Sequence, residues 1–229
     1  MPEPLAPRIL IVGGGTAGWM CAAAISRRFA AANLQITLVE SEQIGTVGVG
    51  EATIPHLRYF NERLGFREPD FLQATNATYK LGIEFINWGQ VGEAYIHPFG
   101  VFGKKFRDVG FHHLWNRYRQ DHPDESLFDY SVSVLAAAKG KFAYPSNNPA
   151  DPLSEYSYAF HIDASRYAAF LRRHAESWGV QRQEGKIRLE PFGPHQPGKL
   201  DVIEPIVIWH IGRGKLNDCH GDKENSKQP

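Results

Sequence analysis

Three glycines near the start of the chain have the spacing of a turn that binds a dinucleotide. Gly13, Gly15 and Gly18 form a Gly-x-Gly-x-x-Gly pattern. The first permits a tight turn, the second lets the backbone approach a pyrophosphate, and the third lets a helix pack closely on a strand. Glu40 follows 22 residues after Gly18, and an acidic residue at about that distance binds ribose hydroxyls. A carboxylate there disfavours a 2′-phosphate, so the pattern predicts FAD or NAD. The alternative is a turn that binds nothing.

Lys80 is the second residue that could do chemistry. Residues 79–88 alternate with period two, which predicts a strand with Lys80 and Gly82 on the face opposite Tyr79. We expect Gly82 to leave open space beside the ammonium group. A lysine in a partly apolar cavity donates a strong hydrogen bond or, if its pKa falls, acts as a nucleophile. The alternative, which periodicity alone favours, is a solvated lysine on the polar face of a half-buried strand.

The N-terminal region predicts the βαβ unit that must position the glycine turn. Residues 8–12 are almost wholly apolar, which is typical of a parallel strand buried on both faces. Residues 19–31 are rich in alanine and contain neither glycine nor proline, so they predict a helix. The apolar run over 34–39 predicts the next strand, which ends at Glu40.

The later segments predict further helices and an irregular region. Short helices are expected to open at Pro55 and Pro69, and the aromatic region 89–160 predicts an α+β insertion that carries a second subsite. Residues 163–178 have an apolar stripe at helical spacing and an N-capping aspartate. Towards the end, 202–211 predicts a strand, although Pro205 argues against a central one. The polar segment 212–229 predicts disorder.

Four blocks of this sequence resemble the flavin-dependent tryptophan halogenases, in the order of that family. They are GGGTAGWM at 13–20, VGVGEATIP at 47–55, TYKLGIEFINW at 78–88 and FHIDA at 160–164, within a resemblance that covers about 8–188. The resemblance implies an α/β fold with a Rossmann-like FAD-binding βαβ sheet, GR2-type and monooxygenase-like, that carries the α+β insertion and is incomplete at its C-terminus.

The chemistry that the resemblance implies is halogenation of an electron-rich aromatic such as tryptophan or another indole. Enzymes of this family bind FAD as FADH2, supplied by a separate and transiently bound flavin reductase. Reduced flavin, O2 and a halide, chloride or bromide, yield hypohalous acid. That oxidant travels through a tunnel to an essential lysine, which positions it or forms a haloamine beside the substrate ring.

The resemblance also implies residue roles, with Lys80 as the catalytic lysine. The glycine-rich loop from Gly45 to Thr53 corresponds to the strap beside the flavin. His97 and Phe99 correspond to a pair that sandwiches the substrate, although His97 could equally be a histidine in an aromatic-rich loop. The cofactor-binding residues implied are Gly13, Gly14, Gly15, Thr16, Ala17, Gly18, Glu40, Gly50, Glu51, Ala52, Thr53 and Val180, the last beside the adenine.

The sequence also departs from the family. It lacks the Trp-x-Trp-x-Ile-Pro signature, the late Cys-Ser-Gly segment and the late catalytic glutamate. We therefore expect an FAD-binding halogenase-like domain over 1–190, with 89–160 as its aromatic-rich substrate-side insertion, and a divergent, largely irregular tail over 191–229. A frameshift, a truncated gene model, a designed fragment or real divergence would explain the change after about residue 188. We expect this short chain to be inactive or impaired.

Composition excludes several classes of protein. The 229 residues carry 25 Lys+Arg and 25 Asp+Glu, and this zero net charge argues against nucleic-acid binding. No apolar run approaches about 20 residues, so no membrane span is expected. The N-terminus lacks the pattern of a signal peptide, and two cysteines cannot form a disulfide framework, which together predict a cytoplasmic protein. No metal site is expected, because the pair His112 and His113 has no carboxylate or cysteine at a ligand spacing.

Two other functions stay open at this point. One is another FAD- or NAD-dependent oxidoreductase or monooxygenase of the same fold, which would need no lysine at position 80. The other is a non-catalytic remnant that binds adenine nucleotides weakly or not at all.

Overall fold

The computed structural model describes residues 7–43, 50–185 and 207–210. The chain divides into two compact units. The first combines 1–49 with 163–229, and the second is 50–162. The predicted domain over 1–190 includes parts of both units, and its boundaries stay a prediction.

The first unit is built on a four-stranded sheet in the order β8-β2-β1-β9, with strands numbered along the chain. Its parallel strands are β1 (Arg8–Val12), β2 (Gln35–Glu40) and β8 (Gln181–Glu184). Strand β9 (Val207–His210) pairs with β1 in the antiparallel direction. Ile11 and Leu38 pair with each other and are fully buried, whereas Leu10 and Val12, on the other face of β1, are half-buried, so the burial expected on both faces is complete on one only.

Two helices pack against each other in this unit. Helix α1 (Thr16–Arg28) follows the glycine turn, and α6 (Ala164–Ser177) leads to β8. The predicted cap of α6 is present, because the Asp163 carboxylate accepts a hydrogen bond of 3.0 Å from the Arg166 backbone N–H. Trp19 of α1 and Tyr167 of α6 are almost completely buried.

The second unit contains a three-stranded sheet, a hairpin and four helices. In the sheet, β7 (Ala159–Asp163) lies between β3 (Gly50–Ala52) and β4 (Thr78–Lys80). The hairpin pairs β5 (Gly82–Ile86) with β6 (Ala94–Pro98). The helices are α2 (His56–Arg63), α3 (Glu68–Thr75), α4 (Phe111–Asp121) and α5 (Val132–Ala138), with 3₁₀ turns at Leu127–Tyr130 and Pro152–Glu155.

The α/β fold and the N-terminal βαβ unit are confirmed. The long helix predicted over 163–178 is also present, and Gly179 follows it at a φ of 95°. Helix α1 begins at Thr16, three residues earlier than predicted, because the helix starts inside the glycine pattern. In the described part of the chain, no helix is long and apolar enough to cross a membrane.

The prediction of one continuous strand over 79–88 is wrong. The chain leaves the three-stranded sheet at Leu81, and the residues after it form the separate hairpin. Gly82 does not leave open space either. A Cβ atom there would lie 2.8 Å from the backbone oxygen of His97 and 3.2 Å from the Ile96 side chain, so this glycine permits close pairing of β5 with β6.

Towards the C-terminus, the strand predicted over 202–211 is found at Val207–His210, and its other residues lie outside the described ones. Within the described ranges it pairs with β1 and is the last strand of the sheet, which agrees with the expectation from Pro205 that it is not a central strand. The disorder predicted over 212–229 also concerns residues outside the described part of the chain.

Candidate functional site

The glycine turn has the geometry that its spacing predicts. Gly13 adopts a φ of 105°, and its N–H donates to the Val39 carbonyl over 2.8 Å, which holds the turn on the end of β2. A Cβ atom at Gly18 would lie 1.9 Å from the Gly13 oxygen. Gly18 is therefore needed for close contact between helix and turn.

The N-terminus of α1 is open to a ligand. Gly15 is the N-cap residue, with no side chain to cap the first backbone N–H groups, and the first turn carries no acidic residue. Among the described residues, nothing would lie within 4 Å of a Cβ at Gly15. Uncapped N–H groups and the positive end of the helix dipole favour an anion at this position.

Glu40 lies at the carboxyl end of β2, against the glycine turn. A Cβ at Gly14 would overlap the Glu40 carboxylate, so only glycine fits there. One carboxylate oxygen, Oε1, accepts from Nε of Arg182 over 2.6 Å and from Nη1 of Arg172 over 3.4 Å. The other, Oε2, accepts from the Trp19 indole N–H over 3.2 Å. The structure thus brings the predicted acidic residue to the predicted turn, in a fixed orientation.

Arg182 organises the charges around Glu40. Its guanidinium also contacts Glu42 at 2.9 Å and Glu184 at 2.6 Å. The hydrogen bond to Glu40 raises the pKa of Arg182 above its ordinary value. Sequence reasoning missed Arg182 and Arg172, because a pair separated by more than 130 positions leaves no local pattern. Trp19 falls inside the first family-like block, which was a usable signal.

The structure does not place Val180 at this site. Strand β8 begins one residue later, and the register pairs Gln181 with Thr37 and Glu184 with Glu40. Val180 therefore lies near the opposite end of the sheet, about 13 Å from Glu40 along the strand direction. Its side chain is buried, and its N–H donates to the Ala175 carbonyl of α6 over 3.1 Å. Its predicted position beside an adenine stays a prediction.

Lys80 is buried in the second unit, with only 7% of its surface exposed. Its Nζ donates to the Thr53 carbonyl over 2.9 Å and lies 5.4 Å from the centre of the Phe99 ring. Burial lowers the pKa of the Lys80 ammonium group. The alternative of a solvated surface lysine does not describe this side chain.

Thr53 connects Lys80 to the central strand β7. Its N–H and its hydroxyl both donate to the Phe160 carbonyl, and the hydroxyl accepts from the Phe160 N–H. The carbonyl that accepts from Lys80 is thereby held in place. Thr53 was predicted to bind the cofactor, and its side chain is engaged within the protein. Gly50, Glu51 and Ala52 form the exposed strand β3, and residues 45–49 of the predicted strap lie outside the described ones.

The predicted substrate pair is divided between two environments. The Phe99 ring lies near the Lys80 ammonium, and its backbone N–H donates to the Leu81 carbonyl over 2.8 Å. His97 pairs with Ile83 across the hairpin and is exposed. The described residues therefore place Phe99 beside Lys80 and leave the role of His97 as a prediction.

Comparison with known proteins gives one consistent result. The sequence model of the tryptophan halogenase family matches residues 8–193. The 7-chloro-L-tryptophan 6-halogenase KtzR of Kutzneria sp. (strain 744) is 37% identical over 236 residues, which covers 93% of this chain and 43% of that protein. The tryptophan 7-halogenase RebH of Lentzea aerocolonigenes is 35% identical over 233 residues, which covers 93% of this chain and 42% of that protein.

Solved structures agree with the sequence matches. BrvH, a flavin-dependent halogenase from Brevundimonas sp. BAL3, superimposes with a TM-score of 0.73 and 45% identity over 81% of this chain and 37% of its own. Xcc4156, a flavin-dependent halogenase from Xanthomonas campestris, superimposes with a TM-score of 0.73 and 46% identity. The match covers 83% of this chain and 37% of Xcc4156. The chain spans less than half the length of the relatives that it matches.

Proposed function

This chain belongs to the tryptophan halogenase family, and from that premise we propose that the complete protein halogenates an electron-rich aromatic ring. Tryptophan is the substrate class that the names of the relatives support, and other indoles share its reactive ring. The reaction takes a halide and O2, and a separate flavin reductase supplies the reduced cofactor.

The residues of the first unit fit FAD. The open approach at Gly15 and the uncapped start of α1 would hold the pyrophosphate, and the Glu40 carboxylate would accept from the ribose hydroxyls. Trp19 and Arg182 keep that carboxylate beside the turn. When bound, reduced FAD supplies the electrons with which O2 and halide yield hypohalous acid.

Lys80 has the position and the environment to handle that oxidant. Its ammonium group is fixed by the Thr53 carbonyl and keeps two further N–H bonds with which to hold hypohalous acid. Burial disfavours the charged form and so raises the fraction of neutral amine. That amine would take the halogen from hypohalous acid to form a haloamine, with release of water. Phe99 supplies an apolar wall beside it.

The single observation that carries this proposal is the burial of Lys80 on the Thr53 carbonyl. The test uses a full-length protein that contains this N-terminal half, with flavin reductase, NADH, FAD, chloride or bromide, and tryptophan or indole. Lys80→Ala is expected to abolish halogenated product, measured by mass spectrometry, while flavin binding stays unchanged. The matched control is Lys139→Ala, since Lys139 is exposed.

Halogenated product from Lys80→Ala at the parent rate would overturn the assignment. An oxygenated product that forms without halide would instead support a monooxygenase. Flavin binding is measured separately, by quenching of flavin fluorescence, so a loss of cofactor is not mistaken for a loss of the lysine.

A further inference from the structure

A cavity of about 250 Å³ lies in the second unit, between helices α2 and α3 and the sheet. Three phenylalanines, one arginine, two glutamates and one asparagine line it, namely Phe66, Phe71, Phe160, Arg58, Glu62, Glu68 and Asn61. The register pairs Phe160 with Tyr79 and Ala159 with Lys80. Because successive side chains of a strand point to opposite faces, Phe160 and this cavity lie on the face of the sheet opposite Lys80.

Glu68 presents an unused acceptor at this cavity. Its Oε2 accepts a hydrogen bond of 2.8 Å from the Tyr158 hydroxyl. Its Oε1 is buried, and no donor among the described residues reaches it. A buried carboxylate oxygen without a hydrogen bond is costly, so this position favours a ligand that carries an N–H donor, best of all a charged one.

Arg58 adds a positive charge to the cavity, next to the Tyr158 ring whose hydroxyl binds Glu68. Its guanidinium stacks on the Tyr158 ring, 3.7 Å from the ring centre, and Nη1 donates to the Ser157 hydroxyl over 3.1 Å. These two contacts fix the planar group and leave its remaining N–H bonds for a carboxylate. Both Arg58 and Glu68 line the cavity and both contact Tyr158, so the two opposite charges lie beside the same ring, where one small zwitterion can meet both.

The three phenyl rings favour a ligand that also carries an apolar group, in addition to its N–H donor and its carboxylate. Phe71 and Phe160 are each 1% exposed, and their rings pack edge to face at 5.0 Å. They form an apolar wall of the cavity, which suits an aliphatic or aromatic side chain. A volume slightly below that of pockets for drug-sized molecules suits a ligand of about the size of one amino acid.

We propose that this cavity binds an α-amino acid with an apolar side chain, whose ammonium group donates to Glu68 and whose carboxylate accepts from Arg58. The site lies on the face of the sheet opposite Lys80 and does not depend on the halogenase assignment. It is separate from the substrate position expected beside Lys80.

The test compares three probes on the unaltered 229-residue chain, by calorimetry and by thermal shift without flavin. L-phenylalanine carries both charges, phenethylamine lacks the carboxylate, and 3-phenylpropionate lacks the ammonium. We expect L-phenylalanine to bind with a dissociation constant of about 1 mM, and each of the other probes to bind at least about tenfold more weakly. L-phenylalanine should also raise the unfolding temperature.

Two variants test the same contacts from the protein side. Glu68→Gln and Arg58→Met should each weaken L-phenylalanine binding about tenfold, whereas Glu84→Gln, at an exposed position of β5, should not. Circular dichroism verifies folding. Because the probe comparison needs no substitution, it decides the proposal even if a variant does not fold.

Three results would overturn the inference. One is the lack of saturable L-phenylalanine binding up to about 50 mM. Another is phenethylamine or 3-phenylpropionate binding as tightly as L-phenylalanine. The third is binding that Lys80→Met weakens and Glu68→Gln does not, which would move the amino acid to the Lys80 site and leave the proposed halogenase function standing.

Discussion

Lys80 is a buried ammonium group that donates to the Thr53 carbonyl, and its burial makes the stability of the fold depend on pH. Its pKa is lowered in the folded protein, whereas in the unfolded chain it titrates near 10.5. Between those two values the unfolded chain binds more protons than the folded one, so the contribution of Lys80 to the free energy of unfolding rises with pH. Below the folded pKa both states are protonated, and the contribution is constant.

Comparison with Lys80→Met isolates this effect. We expect the free energy of unfolding of the unaltered chain, relative to that of Lys80→Met, to increase as pH rises through the window that ends near 10.5. Urea denaturation at a series of pH values measures it. A difference that is independent of pH, or that decreases, would contradict burial of the charged group.

The surroundings of the two candidate residues show what sequence can reach at the residue scale. Gly13, Gly18 and Glu40 follow a local spacing rule, and the structure places them as that rule requires. The partners of Glu40 and Lys80 come from tertiary contacts. Arg182 is separated from Glu40 by 142 positions. Thr53, the partner of Lys80, is held in place by Phe160, which is 107 positions away from it. No periodicity relates such pairs, so sequence alone could predict the candidate groups without the contacts that fix them.

At the scale of elements, the turn between β1 and α1 separates a structural glycine from a binding glycine. A Cβ at Gly18 would lie 1.9 Å from a backbone oxygen, which cannot rotate away. Gly15 has an ordinary φ of −69° and open space around it. We expect Gly18→Ala to lower the free energy of unfolding by about 2 kcal/mol or more, and Gly15→Ala to change it by less than about 0.5 kcal/mol.

Flavin binding should respond to Gly15→Ala even though the free energy of unfolding does not. Gly15→Ala places a methyl group where the pyrophosphate must approach, so we expect it to weaken FAD binding although the fold is intact. Thermal denaturation and flavin fluorescence measure the two properties side by side. If Gly15→Ala bound FAD as tightly as the parent, the glycine turn would not be the pyrophosphate site.

The elements also show where periodicity fails. Residues 79–88 alternate as one strand should, yet the chain changes partner at Leu81: Lys80 pairs with Ala159 and Gly82 with Pro98. Alternation records which face a residue occupies and contains no information about its neighbouring strand. Helix α6, by contrast, depends on its own stripe and its own aspartate cap, and was predicted almost to the residue.

At the scale of the whole molecule, the hairpin of the second unit leaves apolar side chains in solvent. Ile86 is 64% exposed, Trp88 73% and Val91 95%. Tyr95 is 42% exposed, and Phe85 joins it to Trp88 through ring contacts at 5.0 Å and 5.5 Å. Exposed apolar side chains concentrated on one hairpin in this way promote association between molecules.

We therefore expect the 229-residue chain to self-associate as its concentration rises, with the hairpin tip as the contact. Sedimentation velocity over a range of concentrations measures the association. Replacing Trp88 and Val91 together by serine removes the two most exposed apolar side chains of the tip and should shift the distribution to monomer. As a control, Val101→Ser changes a residue that is 47% exposed outside the hairpin and should leave association unchanged. A chain that stays monomeric at every concentration, or a double variant that associates as strongly as the parent, would show that the hairpin tip does not mediate self-association.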